Sequence, residues 1–236
     1  MIDKIFPDAR AAIDGVRDGD TVLIGGFGEA GNPTELIHAL IEQGARELTV
    51  VNNNSGNGKI GLALLLRERR VARLICSYPR GSHAHVFETL YRDGQIALEL
   101  VPQGTLAERL RAGGAGIPAF YTPSGVGTAL AEGKETRTFA GRDHILEHAI
   151  CGDIALIKAE AADRWGNLVY RKAARNFGPV MAMAAKTTIA QVRKVVPLGE
   201  LDPEAIVTPS IFVSRVVPIA DPISERDHIL ALEQAR

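Results

Sequence analysis

Asp18–Pro33 reads DGDTVLIGGFGEAGNP. A polar turn (Asp18, Gly19, Asp20) leads into the apolar run Thr21–Ile24, a glycine cluster follows, and Asn32-Pro33 opens a helical pattern. The stretch predicts a strand, a loop that can approach a ligand by its backbone, and a helix start. Gly25, Gly26, Gly28 and Gly31 permit backbone angles that other residues resist and place no side chain in the way. Asn32 suits an N-cap and Pro33 the first helical position, and Glu35, three residues after Asn32, completes a capping-box pattern. Free N–H groups at such a helix start can hold an anion or an oxyanion. The active site is expected to touch this loop.

Working outward, Thr34–Gln43 carries Leu36, Ile37, Leu40 and Ile41 at helical spacing and stops at Gly44. Strands are predicted at Leu48–Val51, Val71–Cys76 and Ile96–Val101, and helices over Lys59–Arg70, Val86–Arg92 and Thr105–Arg111. This alternation implies an open, mostly parallel, doubly wound α/β sheet with helices on both faces. From Gly113 glycines and prolines break up a long loop containing Phe120 and Tyr121. Strands follow at Glu135–Phe139, Ile154–Lys158 and Leu168–Tyr170, giving a smaller β-rich portion within about residues 113–175. A helix over Pro179–Ala185 and a strand over Thr187–Val192 come next. The tail, with Pro203, Pro209, Pro218 and Pro222, is expected to drape over the surface before a final helix. Residues 1–236 are expected to form one domain.

The composition excludes several classes. The chain has 236 residues, 46% of them hydrophobic, enough for one sizeable core. A net charge of −1 with dispersed signs leaves no footprint for nucleic acid or an anionic membrane. No apolar run approaches the ~20 residues of a membrane span, and the start lacks a signal-peptide core. Cys76 and Cys151 lie far apart with no CxxC, so a cytoplasmic protein without disulfides or a zinc knuckle is expected.

Several motifs point elsewhere and are outweighed. Gly26–Gly31 matches GxGxxG, but a dinucleotide site wants an acidic residue ending the second strand, and here that strand ends in Asn52-Asn53-Asn54. The Walker pattern and GxSxG are absent. His144–His148 matches HxxEH, which needs a helix and a third ligand that the sequence does not offer, so no metal site is expected. Arg171, Lys172 and Arg175 read either as a solvated face or as a holder of phosphate, carboxylate or a partner surface. Gln103 lies just past a strand end, where open α/β sheets bind ligands, and its amide can donate to an oxyanion.

The Asp18–Pro33 block resembles the alpha-subunit signature of the 3-oxoacid CoA-transferase family. Further segments match in order: Val101–Arg109 (VPQGTLAER), Arg111–Gly116, Pro118–Pro123, Gly152-Asp153, Asp163–Asn167 and Ala174–Phe177. The resemblance covers nearly the whole chain. The Ser77–Phe87 loop, the Arg164-Trp165-Gly166 turn and Gly178–Met183 look most like members acting on 3-oxoadipate, with acetoacetate as the alternative acceptor.

The resemblance implies ping-pong transfer of CoA from succinyl-CoA to a 3-oxo acid through a glutamyl anhydride and then a glutamyl-CoA thioester. In the family that glutamate belongs to a beta subunit, in a Ser-Glu-Asn-Gly segment. The nearest segment here, Ser224-Glu225-Arg226-Asp227, lacks the glycine. The nucleophile is therefore expected on a beta-subunit partner, in a heterodimer or larger αβ oligomer, with a CoA thioester as substrate and no permanently bound cofactor. The resemblance implies that Gly25, Gly26, Phe27, Gly28, Glu29, Ala30 and Gly31, with Asn53, contact CoA or the acyl group, and that Gln103 meets the acyl oxygen. Since 3-oxoadipate carries a distal carboxylate, Arg80, assisted by Ser82 or His83, is the expected reader of that charge. The competing classes are an NAD-dependent oxidoreductase and a non-catalytic module that binds a CoA ester or a sugar phosphate.

Overall fold

The computed structural model describes residues 2–81 and 83–234. Its first half is a strand–helix alternation. A short helix α1 (Ala9–Ile13) precedes β1 (Thr21–Ile24), α2 (Thr34–Gln43), β2 (Leu48–Val51), α3 (Gly61–Arg67), β3 (Val71–Cys76), α4 (His85–Arg92), β4 (Ala97–Leu100) and α5 (Gln103–Gly114). Three strands, β5 (Ala119–Thr122), β6 (Thr136–Phe139) and β7 (Arg142–His148), form a separate antiparallel sheet in the order β5-β7-β6. The chain then returns with β8 (Gly152–Asp163), β9 (Leu168–Val169), α6 (Gly178–Ala184), β10 (Ala185–Val196), β11 (Arg215–Pro218) and α7 (Glu225–Gln234).

The main sheet runs β11-β10-β8-β1-β2-β3-β4, and every pair in that order is parallel, while β9 pairs antiparallel on β8. From β1 the first half steps outward to β4, and from β8 the second half steps outward to β11. The reversal falls between β1 and β8, and a crevice opens at such a switch point, outside the carboxyl ends of the strands.

Side-chain alternation explains why both faces are covered. Val22 and Ile24 of β1 join one apolar cluster with Leu36 and Leu40 of α2 and Leu65 of α3, whereas Leu23 joins a second with Leu106 of α5 and Met181 of α6. Ile154 and Leu156 of β8 face the first cluster, and Ala155 and Ile157 the second. A strand buried on both faces reads as a continuous apolar run, which is what TVLI and IALI are.

Two expectations need correction. The Phe120–Tyr121 stretch is strand β5 rather than loop. The HxxEH run, for which no metal role is expected, lies on strand β7. In that extended backbone His144 and His148 share one face, while Glu147 faces the interior and accepts Lys134 Nζ at 2.6 Å. Among the described residues no group of three or more His, Cys, Asp or Glu could hold a metal ion. The proline-rich tail does not merely cover the surface: Val216 and Val217 are fully buried in β11, parallel to β10. Pro218 ends that strand at the sheet edge, where a missing N–H costs no ladder bond. Ile5 bridges to Val216, with Phe6 N donating to Val216 O at 2.8 Å and Val216 N to Lys4 O at 2.8 Å. Among the described residues no helix is long and apolar enough to cross a membrane.

Arg109 fixes helix α5 between the two sheets. Its Nη1 donates to Glu99 Oε1 of β4 at 2.6 Å, and its Nε donates to the His148 carbonyl of β7, also at 2.6 Å. Burial pushes the Glu99 carboxyl up, but hydrogen bonds and charge from Arg109 and Arg73 outweigh it and hold the group below the usual carboxylate range.

Candidate active site

The loops after β1, β2 and β3 and the start of α5 enclose a cleft of about 480 Å³ at the carboxyl ends of the first four strands. The β1 loop enters it as a tight hairpin. Phe27 N donates to Ala30 O at 2.9 Å and Ala30 N to Phe27 O at 3.0 Å, which leaves Gly28 and Glu29 at the tip. Phe27 and Gly28 line the cleft. The other loop residues face protein. Gly25 packs on Ile157, and Gly26 N donates to Asn176 Oδ1 at 3.1 Å. At Gly31, with φ +78°, a Cβ would lie 2.5 Å from the Ala174 carbonyl. Only glycine fits there, so the hairpin can seat on the Ala174–Asn176 segment. Asn176 Nδ2 completes the seat by donating to Ala30 O at 3.0 Å. Glu29 turns away from the cleft and accepts from Asn57 Nδ2 at 3.0 Å.

The helix start differs from the sequence expectation. Helix α2 begins at Thr34 with Pro33 as its cap residue and no side-chain capping bond. Asn32 Nδ2 donates to Gly28 O at 3.0 Å and to Glu225 Oε2 at 2.5 Å, so it braces the hairpin rather than the helix. Glu35 accepts from Ile223 N at 2.5 Å and from Gln191 Nε2, not from Asn32. The helix end is occupied by Glu225, whose Oε1 accepts from Thr34 Oγ1 at 2.8 Å. That carboxyl takes the Thr34 hydroxyl, not the backbone N–H groups of the terminus.

The asparagine triplet divides its work. Asn52 Nδ2 donates to Ile24 O at 2.7 Å, joining the ends of β1 and β2, and its Oδ1 accepts from Asn54 N at 2.8 Å. Asn53 is the hub. Its Oδ1 lies 2.7 Å from Ser77 Oγ and accepts from Gln103 Nε2 at 2.8 Å. With that oxygen taken twice, the Asn53 amide N–H groups and the second Gln103 Nε2 hydrogen have no acceptor among the described residues. Asn54 Nδ2 is buried nearby, also without a partner. These are donors, held in place, beside one cavity.

Arg80 lines the same cleft, is exposed, and makes no ion pair among the described residues. Ser82, expected beside it, lies outside the described residues. His83 is buried against α7, with Nε2 3.1 Å from Glu233 Oε1, and does not line the cleft.

The described lining contains no carboxylate. Its two serine hydroxyls are committed to carbonyl oxygens, with Ser55 Oγ donating to Pro79 O at 2.6 Å and Ser77 Oγ to Asn53. Cys76 is fully buried at the end of β3, and burial pushes its thiol up to about 12, so it is inert as a nucleophile. The donors of the cleft suit an acyl oxygen, and its described lining offers no carboxylate nucleophile.

Sequence reasoning gave no role to Asn176, Asn52 or Ser77. Asn176 stands in the quoted Ala174–Phe177 segment, but its partner Gly26 is 150 residues away and nothing local announces the pairing. Ser77 follows a strand end immediately, the same positional signal that singled out Gln103.

A doubly wound sheet that gathers oriented amides in a cleft at the carboxyl ends of its strands has the architecture of an α/β ligand-binding enzyme component. The chain belongs to the Coenzyme A transferase family, which matches residues 6–218. It is 60% identical over 220 residues to the alpha subunit of 3-oxoadipate CoA-transferase from Pseudomonas putida, covering 93% of this chain and 95% of that one. It is 51% identical to the corresponding subunit of a probable succinyl-CoA:3-ketoacid coenzyme A transferase from Bacillus subtilis, over 91% and 89% of the two chains. An acyl-CoA transferase from Escherichia coli O157:H7, solved as a thioester complex with CoA, shares the fold with a TM-score of 0.82 at 22% identity; the match covers 94% of this chain and 50% of that one.

Proposed function

We propose that this chain is the alpha subunit of a two-subunit transferase that moves CoA from succinyl-CoA to 3-oxoadipate. The observation that carries the reading is the cleft itself, with donors from Asn53 and Gln103, an unpaired guanidinium at Arg80, and no carboxylate. A carboxylate attacking a thioester builds negative charge on the acyl oxygen, and preorganised amides stabilise that charge without reorganising. Gln103 and Asn53 take that role, the β1 hairpin presents Phe27 and Gly28 to the acyl–CoA chain, and the attacking glutamate belongs to the partner. Both relatives are named as one subunit of a transferase, which supports a partner here. The reading calls for no permanently bound cofactor and for a cytoplasmic enzyme formed by one domain over residues 1–236.

The test is CoA transfer from succinyl-CoA to 3-oxoadipate and to acetoacetate, with this chain alone and with its partner. Activity only in the mixture, with 3-oxoadipate preferred, is the expected result. Turnover by the chain alone would remove the split site, and a preference for acetoacetate would change the acceptor.

Arg80 is the proposed reader of the distal carboxylate. A charge-assisted pair of this kind contributes about 1.5–3 kcal/mol. Arg80→Ala should therefore lower kcat/KM for 3-oxoadipate about tenfold to a hundredfold while leaving acetoacetate nearly unchanged. An equal loss for both acids would remove Arg80 from acceptor choice.

A further inference from the structure

Residues 219–234 lie beyond the part of the chain that matches the family. They nevertheless reach the back of the cleft loops. The Glu225 carboxylate is 7% exposed and holds Asn32 and Thr34, and Asn32 in turn holds the Gly28 carbonyl at the hairpin tip. At Gly61, the start of α3, a Cβ would lie 2.3 Å from Glu225 Oε1, so that backbone is pressed against the carboxylate. Further along α7, buried Ile229 packs on Gly58, and Glu233 meets His83. One helix thus touches the loops after β1, β2 and β3, three of the four structures that enclose the cleft.

We propose that Glu225 is a positioning residue: through Asn32 it clasps the β1 hairpin in the conformation that presents Phe27 and Gly28 to the acyl group. Glu225 is not the missing nucleophile. It lines a small polar pocket with Glu29, Lys158 and Arg193, and it is absent from the cleft lining. The proposal rests on the reading of the cleft as the acyl site.

The clasp carries a pH signature. Burial, the largest influence, pushes the Glu225 carboxyl up from 4.5 to about 7, against the opposing pull of Thr34, Asn32 and Lys158 and with a small push from Glu29. Arg193 of β10 lines the same pocket, Glu35 of α2 accepts from Ile223 N, His38 of α2 accepts the Gly61 N–H, and His228 packs on Gly58. A raised carboxyl favours docking of the protonated form. Docking is strongest below the free-group value of 4.5 and weakens as pH rises through about 7. When protonated, Glu225 can donate to Thr34 Oγ1 while still accepting from Asn32.

The experiment compares wild type, Glu225→Gln, Glu225→Ala and Ile229→Asp, each assembled with the partner subunit. Hydrogen exchange of residues 25–32 and kcat and KM are followed from pH 6 to pH 9. Glutamine keeps the acceptor to Asn32 and a donor to Thr34, so E225Q should match wild type at pH 6 and lose the wild-type loosening of the hairpin above pH 7. E225A and I229D should speed hairpin exchange about tenfold and lower kcat about tenfold, with protection of β1 and β8 intact. Unchanged exchange and kcat in both, with an active wild type, would overturn the clasp. An inactive wild-type complex would overturn the reading of the cleft instead, and the exchange data would still decide the clasp.

Discussion

Replacing Gln103 by alanine is expected to lower kcat of the assembled enzyme by about a hundredfold to a thousandfold, with little change in KM for succinyl-CoA. On the proposed reading the loss should fall on kcat, because the second Nε2 hydrogen would meet an oxygen whose negative charge develops in the transition state. Asn53→Ala should do nearly the same, since Asn53 Oδ1 orients the Gln103 amide at 2.8 Å. The double variant should then lose much less than the product of the two, because the pair acts as a unit. Steady-state and burst kinetics check this. Full kcat in Q103A would place the oxyanion donors elsewhere in the cleft.

Arg109→Met carries the second large effect. Methionine fills the volume but leaves Glu99 and Glu147 without the guanidinium, which lies 2.6 Å from the former and 3.9 Å from the latter. Breaking a buried pair from one side costs about 3–5 kcal/mol, roughly 10 °C in Tm for a chain of this length. Glu99→Gln in the same chain should recover part of it. There is also a pH consequence. The Glu99 carboxyl is held below 4.5, so its contribution to stability is present above that value and is lost as pH falls through the depressed one. The variant should keep only the part of that slope that Arg73 supports. Thermal melts between pH 3 and pH 7 measure both effects, and an unchanged Tm would show α5 to be fixed by packing alone. Gln103 opens that helix, so kcat should fall as well.

Much of the fold was legible because its central strands are buried on both faces. TVLI and LTVV are near-continuous apolar runs bounded by turn residues, VARLIC is broken only by the exposed Arg73, and the observed strands Thr21–Ile24, Leu48–Val51 and Val71–Cys76 have the predicted bounds. The small sheet was only partly legible: Glu135–Phe139 anticipated β6 (Thr136–Phe139), whereas β5 is half-buried at all four residues, so no alternation marks that strand. Strand β11 is decided by pairing with β10, and its closing proline signalled a loop. At the cleft, Gln103 could be picked out because strand ends are where open sheets bind, whereas Asn53 entered through the family resemblance. The capping box misled because a local pattern competed with distant partners: Asn32 meets Glu225 across 193 residues and Glu35 meets Ile223 across 188.

The strand order also has a consequence for the growing polypeptide. Strands β1 to β4 can assemble with α2, α3 and α4 as soon as the first hundred or so residues have left the ribosome. One side of β1 then has nothing beside it, because its neighbour β8 starts only at Gly152. Throughout that interval the nascent chain displays an apolar strand with free backbone donors and acceptors, the feature that recruits stray strands and chaperones alike. The bonds of Val216 to Lys4 and Phe6 must wait longer still, until β11 itself has been made.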